Sequence, residues 1–135
     1  METLQLPRPL ANQILAHAQG SPDAEICGLL GGQHNVAQNC YPIDNCAADP
    51  TRRYQMDPKK QIAAMRQMRE TGEALVAIYH SHPSAPAVPS DIDIREADYL
   101  DAVYLVISLS TEGVLQMSAF TIANGAASPL PLELL

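Results

Sequence analysis

The sequence predicts an α/β fold, a mixed central β-sheet flanked by helices on both faces, in one domain over residues 1–135. Three observations carry this reading. Helical periodicity and apolar runs alternate along the chain in the order helix, strand, strand, helix, strand, helix, strand, strand. Residues 75–78 and 103–109 are apolar with little interruption, as expected of strands covered on both sides. At 135 residues, 47% of them hydrophobic, the chain can bury a core without disulfide staples.

Each element has its own warrant. Leu10, Ala11, Ile14, Leu15 and Ala18 recur at helical spacing between Pro7 and Gly20, which predicts an amphipathic helix over 8–19. Residues 25–32 read as an apolar strand with an acid at its mouth. Gly31 to Asn35 form a hairpin turn, and 36–43 return as the second strand. Residues 44–52 are loop by composition, and 53–56 are a short extended piece. Asp57-Pro58 is an N-cap followed by proline at the first helical position. It predicts a helix to about Glu70 that buries Ile62, Met65 and Met68 and stops at Gly72. A strand over 74–80 is followed by a short helix from Asp91 to about Asp98, with Ile92 and Ala97 as inward residues. A buried strand over 103–109, a turn over 110–113 and a half-buried strand over 114–123 complete the order. The last ten residues read as a loose edge or tail.

The chemistry is concentrated in residues 78–94. The strand ends in His80-Ser81-His82, and side chains two apart on a strand share a face, so both imidazoles can reach one point. Pro83, Pro86 and Pro89 stiffen the following loop. Ser90 then reads as a helix N-cap, with Asp91 and Asp93 in the first turn, where negative charge is favoured. Two imidazoles and a carboxylate suit a divalent metal, and three protein ligands leave a fourth position for water, the pattern of a catalytic zinc site. Residue types alone do not choose among Glu25, Glu70 and Glu73 for a base.

His80-Ser81-His82-Pro83, then Ser90-x-x-Asp93, with ten residues between His82 and Asp93, resembles the signature of the JAMM (MPN+) metallopeptidases, zinc isopeptidases that act on ubiquitin-like proteins. The resemblance implies the cytidine-deaminase-like (JAB1/MPN) architecture. It implies one Zn²⁺ per chain held by His80, His82 and Asp93, and Glu25, ahead of a glycine-rich apolar stretch, as the catalytic base. Ser90 is expected to steady the carbonyl oxygen. Cytidine deaminases themselves are disfavoured, because they use H-x-E and P-C-x-x-C. The substrate class implied is a ubiquitin-like or sulfur-carrier protein with a Gly-Gly tail. The rivals are a non-catalytic MPN-type binding scaffold and a zinc amidase for small molecules.

Composition narrows the partners. A net charge of −7 argues against nucleic acid. No apolar run is long enough to span a membrane, and no leader is visible at the N-terminus. Cys27, Cys40 and Cys46 form no C-x-x-C pair, which favours a reducing, cytoplasmic setting and core or near-core thiols. Arg52, Arg53, Lys59, Lys60, Arg66 and Arg69 are six of the eight basic residues. That segment is either a solvated helix face or a docking patch. Oligomeric state is unreadable.

Overall fold

The structure is a computed structural model that describes residues 2–99, 101–110 and 116–135. Its elements are β1 (Leu4–Leu6), α1 (Arg8–Gln19), β2 (Cys27–Gln33), β3 (Val36–Ile43), α2 (Pro58–Glu70), β4 (Ala74–His82), α3 (Asp91–Arg95), β5 (Val103–Ser108), β6 (Gln116–Ala123), β7 (Ala126–Leu130) and β8 (Leu132–Leu134). Among the described residues, eight strands form one mixed sheet in the order β7-β6-β5-β4-β2-β3-β1-β8. β4 and β5 run parallel at its centre, and β2 is antiparallel to both β3 and β4.

Alternation along the central strands divides the core between two faces. On one face Leu30, Tyr79, Leu105 and Ile107 pack with Ala11, Ile14 and Ala18 of α1. On the other, Cys27, Leu29, Ile78 and Tyr104 pack with Ala64 and Met68 of α2 and with Ile94 of α3. The expected layering of helices on both faces is therefore present. His80 follows Ile78 with the same parity, so β4 carries both histidines toward the α2 and α3 face. Gly28 lies opposite Tyr79, and a Cβ on Gly28 would come within 2.3 Å of the Tyr79 ring. Only glycine lets that ring lie across β2.

The structure corrects several element expectations. The last ten residues are not a loose tail. Asn124 and Gly125 both have positive φ, 55° and 74°, the geometry of a tight hairpin turn, and return the chain as β7 along β6. After Pro131, β8 pairs in parallel with β1, Leu4 against Leu132 and Leu6 against Leu134. β1 was not expected at all, yet Leu4 and Leu6 are fully buried. Ile62 is 58% exposed rather than core, because α2 turns Ala64 and Met68 inward instead. α3 ends at Arg95, a turn earlier than expected. Cys27 is buried and Cys40 half-buried, but Cys46 is exposed on the loop after β3. Most of the turn expected over 110–113 and the first residues of the strand expected over 114–123 lie outside the described residues.

Candidate metal centre

The centre lies at the C-terminal end of β4, beside the parallel strand β5, the position where open α/β sheets place their ligands. Nε2 of His80 and Nε2 of His82 are 3.1 Å apart. Asp93 Oδ2 lies 2.9 Å from the first and 3.1 Å from the second. Asp93 reaches this point because Ser90 caps α3. The Asp93 backbone N–H donates to Ser90 Oγ, and the Ser90 N–H donates back to Asp93 Oδ2 at 2.9 Å. This reciprocal capping box fixes the carboxylate as well as the helix start.

Glu25 arrives from a different part of the chain, through strand register. Cys27 pairs with His80 across β2 and β4. The Ser81 N–H donates to the Ile26 carbonyl, and the Ile26 N–H donates to Ser81 Oγ. Continuing that antiparallel register by two residues sets Glu25 opposite His82, on the same face. Glu25 stands two residues before β2 begins, not within a strand, and is 5% exposed. One ligand atom from each of Glu25, His80, His82 and Asp93 lies within 4.8 Å of the other three. All four expected residues are thus brought together, with Ser90 beside them.

The arrangement fits a divalent cation. His82 Nδ1 lies 2.8 Å from the Pro86 carbonyl, so Nδ1–H donates there and Nε2 turns a bare lone pair inward. Two imidazole nitrogens and a carboxylate oxygen about 3 Å apart repel one another unless a cation or proton lies among them. Ligands about 2.0–2.1 Å from a tetrahedral zinc stand roughly 3.3 Å from one another, close to the spacing observed. Glu25 Oε1 is buried with no hydrogen-bond partner among the described residues. That is costly for a polar atom with no chemical task.

Electrostatics separate the carboxylates. Burial raises Glu25 to about 7, against the lowering effect of His82 and with a further push from Asp93. Asp93 is also buried, but the two imidazoles crowded against its Oδ2 and the Ser90 N–H that donates to it favour the charged form and hold it well below the usual carboxylate range. Burial keeps His80 neutral by lowering it. In His82 burial acts the same way but is outweighed by Asp93, so its net shift is upward. One acid stays ionised while the other is poised to carry a proton. Cys27 is pushed up to about 12 by burial, so it stays a protonated thiol near neutral pH.

The structure adds residues that sequence reasoning did not single out. Tyr54 stacks on His80, ring centroids 4.5 Å apart and 27° from parallel. Asn45 donates to the carbonyls of Glu25 and Arg53 and accepts from the N–H groups of Ala47 and Gln55. Ser108 is fully buried and donates to the Ala85 carbonyl at 2.7 Å, pinning the proline loop to β5. None carries a local signal, since each acts across a loop that has no periodicity. A cavity of about 580 Å³ adjoins Asp93, walled by Tyr54, Ile78, Tyr99 and Tyr104.

The fold and this centre define a metal-dependent peptidase of the JAMM type. The chain belongs to the prokaryotic JAB family, the prokaryotic homologs of the JAB domain, which residues 7–122 match. It is 34% identical to the desampylase of Haloferax volcanii over 111 residues, 78% of this chain and 80% of that protein. It is 31% identical to the CysO-cysteine peptidase of Mycobacterium tuberculosis over 126 residues, 92% of this chain and 86% of that protein. A JAB1/MPN domain protein from Archaeoglobus fulgidus superposes with a TM-score of 0.64 at 16% identity, covering 98% of this chain and 99% of that one. That likeness establishes the expected JAB1/MPN fold.

Proposed function

We propose that this single JAB-type domain, residues 1–135, is a zinc peptidase that hydrolyses the bond after the terminal glycine of a ubiquitin-like or sulfur-carrier protein. The observation that carries the proposal is the convergence of His80, His82, Asp93 and the unpartnered Glu25 within 4.8 Å. The names of two relatives, a desampylase and a CysO-cysteine peptidase, support the substrate class. The three cysteines, none paired with another, support a reducing cytoplasmic setting. Among the described residues no helix is long and apolar enough to cross a membrane.

In this reading His80, His82 and Asp93 hold one zinc ion per chain. Zinc supplies a Lewis acid for the scissile carbonyl and acidifies water from a pKa of about 15.7 toward about 7. Glu25 Oε1 takes the proton of the attacking water and returns it to the leaving amine nitrogen, as its raised pKa suits. Ser90 Oγ accepts from the Asp93 N–H, which leaves the hydroxyl hydrogen free to donate to the carbonyl oxygen as it gains charge. Ser108 and the Pro86 carbonyl keep the loop and the His82 ring in place, so little reorganises during the reaction.

The test is metal content followed by turnover. Elemental analysis should give about one zinc per chain, lost in His80→Ala and His82→Ala and weakened in Asp93→Asn. Zinc-loaded wild type should release cysteine from a carrier–cysteine amide, and Glu25→Gln should keep zinc but not turn over. Wild type without zinc after zinc dialysis sinks the metal site. Zinc-loaded protein that binds the carrier without cutting it favours the scaffold.

A further inference from the structure

The outer face of α2 combines charge and exposed apolar surface in a way the fold does not use. Lys59, Ile62, Arg66 and Arg69 recur at spacings of three, four and three, so they lie within an arc of about 80° at 100° per residue. That arc is opposite Ala64 and Met68, the buried residues of the helix. Ile62, at 58%, is the most exposed large apolar side chain among the described residues. Residues 52–69 hold six of the eight basic residues and a single acid, Asp57, in a chain of net charge −7. Lys60 is paired with Asp44 and Arg53 with Glu96. Among the described residues Lys59, Arg66 and Arg69 have no such pair, and Glu70 borders the stripe without forming one. An isoleucine ringed by unpaired cations is the make-up of a small interface centre with a charged rim.

Its position relates it to the metal centre. α2 packs on the sheet face that carries His80 and His82. Its N-cap, Asp57, is three residues after Tyr54, which stacks on His80. From Lys59 to Arg69 the stripe runs about 15 Å along the helix, away from that end. A substrate whose extended tail reaches Asp93 while its folded body rests beside it can cover this stripe.

We infer that Lys59, Ile62, Arg66 and Arg69 form a docking surface for the folded body of the carrier, which meets them with an acidic face around a small apolar patch. The inference rests on the proposed substrate class and deepens it. Opposite charges speed encounter and set orientation, and their effect fades as salt rises. The catalytic groups lie elsewhere, so the surface acts on KM and leaves kcat alone.

The probes are a Gly-Gly-ended ubiquitin-like carrier of net negative charge, with cysteine amide-linked to its last glycine, and its last six residues carrying the same cysteine. The triple variant K59E/R66E/R69E is expected to raise KM for the whole carrier at least tenfold at low salt, with kcat unchanged. Its rate on the short peptide should equal wild type. Wild-type KM should climb with salt toward that of the variant. Ile62→Ser alone should raise KM several-fold with no change in salt dependence. Equal KM values for wild type and the triple variant on the carrier overturn the inference. If wild type cuts neither probe, the proposed function fails on its own. Titration of zinc-loaded protein with the free carrier then decides the docking surface. Binding that is lost in the triple variant supports it, and no binding by wild type, or binding only of a DNA duplex or anionic vesicles, overturns it.

Discussion

Asn45 donates its amide hydrogen to the Glu25 carbonyl at 2.9 Å. The same side chain also bonds the backbone on both sides of Tyr54, at Arg53 and Gln55. One amide therefore fixes the segment carrying the candidate base to the segment whose ring lies on His80, a candidate metal ligand. Asn45→Asp keeps the oxygen that accepts from Ala47 and Gln55 but cannot donate to the Glu25 and Arg53 carbonyls. It should cost about 1–3 kcal/mol in stability and lower kcat with KM little changed, read by urea denaturation and steady-state kinetics.

Tyr54 supports His80 through its face. Tyr54→Phe should keep zinc affinity near wild type. Tyr54→Ala should weaken it by about 10–100-fold, the usual effect of losing a group that orients a ligand, measured by chelator competition. Equal affinities in the two variants would show that the stack orients nothing.

Glu25 gives a pH signature in the metal-free protein. Its pKa rises from 4.5 to about 7 on folding because of burial. The folded state therefore binds more protons than the unfolded state between those values, and stability falls as pH rises from about 4.5 to about 7. Glu25→Gln removes that slope. Relative to wild type, the metal-free variant should gain roughly 1–2 kcal/mol between pH 5 and pH 8, measured by urea midpoints.

Ser90 caps α3, and in the proposed mechanism it has a second, separable task, donating to the carbonyl oxygen. Ser90→Asn keeps a capping acceptor but removes the hydroxyl. It should fold and load zinc like wild type, with kcat about 10²–10³-fold lower. Ser90→Ala should in addition lose about 0.5–2 kcal/mol of stability.

Cys27 is a core thiol that donates to the Ile43 carbonyl at 3.4 Å. Cys27→Ala should lose about 1 kcal/mol of stability, the ordinary cost of a core change, and retain turnover. A folded, zinc-loaded but inactive Cys27→Ala would assign the thiol a chemical role.

His80, His82, Ser90 and Asp93 were legible in the sequence because they lie within 14 residues and their placement depends on strand parity and helix capping alone. Glu25 is different. It meets His82 through a register fixed by the Ile26 and Ser81 hydrogen bonds, which no local pattern encodes, so only the family resemblance selected it. Asn45 and Ser108 act on backbone carbonyls across loops and left no trace in periodicity. β7 did leave one. Asn124-Gly125 is a strong hairpin signal, but Pro129 and Pro131 weakened the strand reading beyond it. Ile62 was read as buried with Met65 and Met68, but packing against the sheet turned Ala64 and Met68 inward and left Ile62 outside.

The β2–β3 register shifts between Gly31 and Gly32, and the β2–β4 register shifts between Leu30 and Gly31. Residues 27–30 pair without interruption on both sides. The irregular half of the sheet thus lies toward the hairpin, and the half that aligns Glu25 with His82 is unbroken. The bulges act as slip joints. A residue added or removed at the Gln33–Val36 turn is absorbed before it reaches Cys27. Loops of different length grafted at that turn should therefore leave the alignment of Glu25 with His82 unchanged.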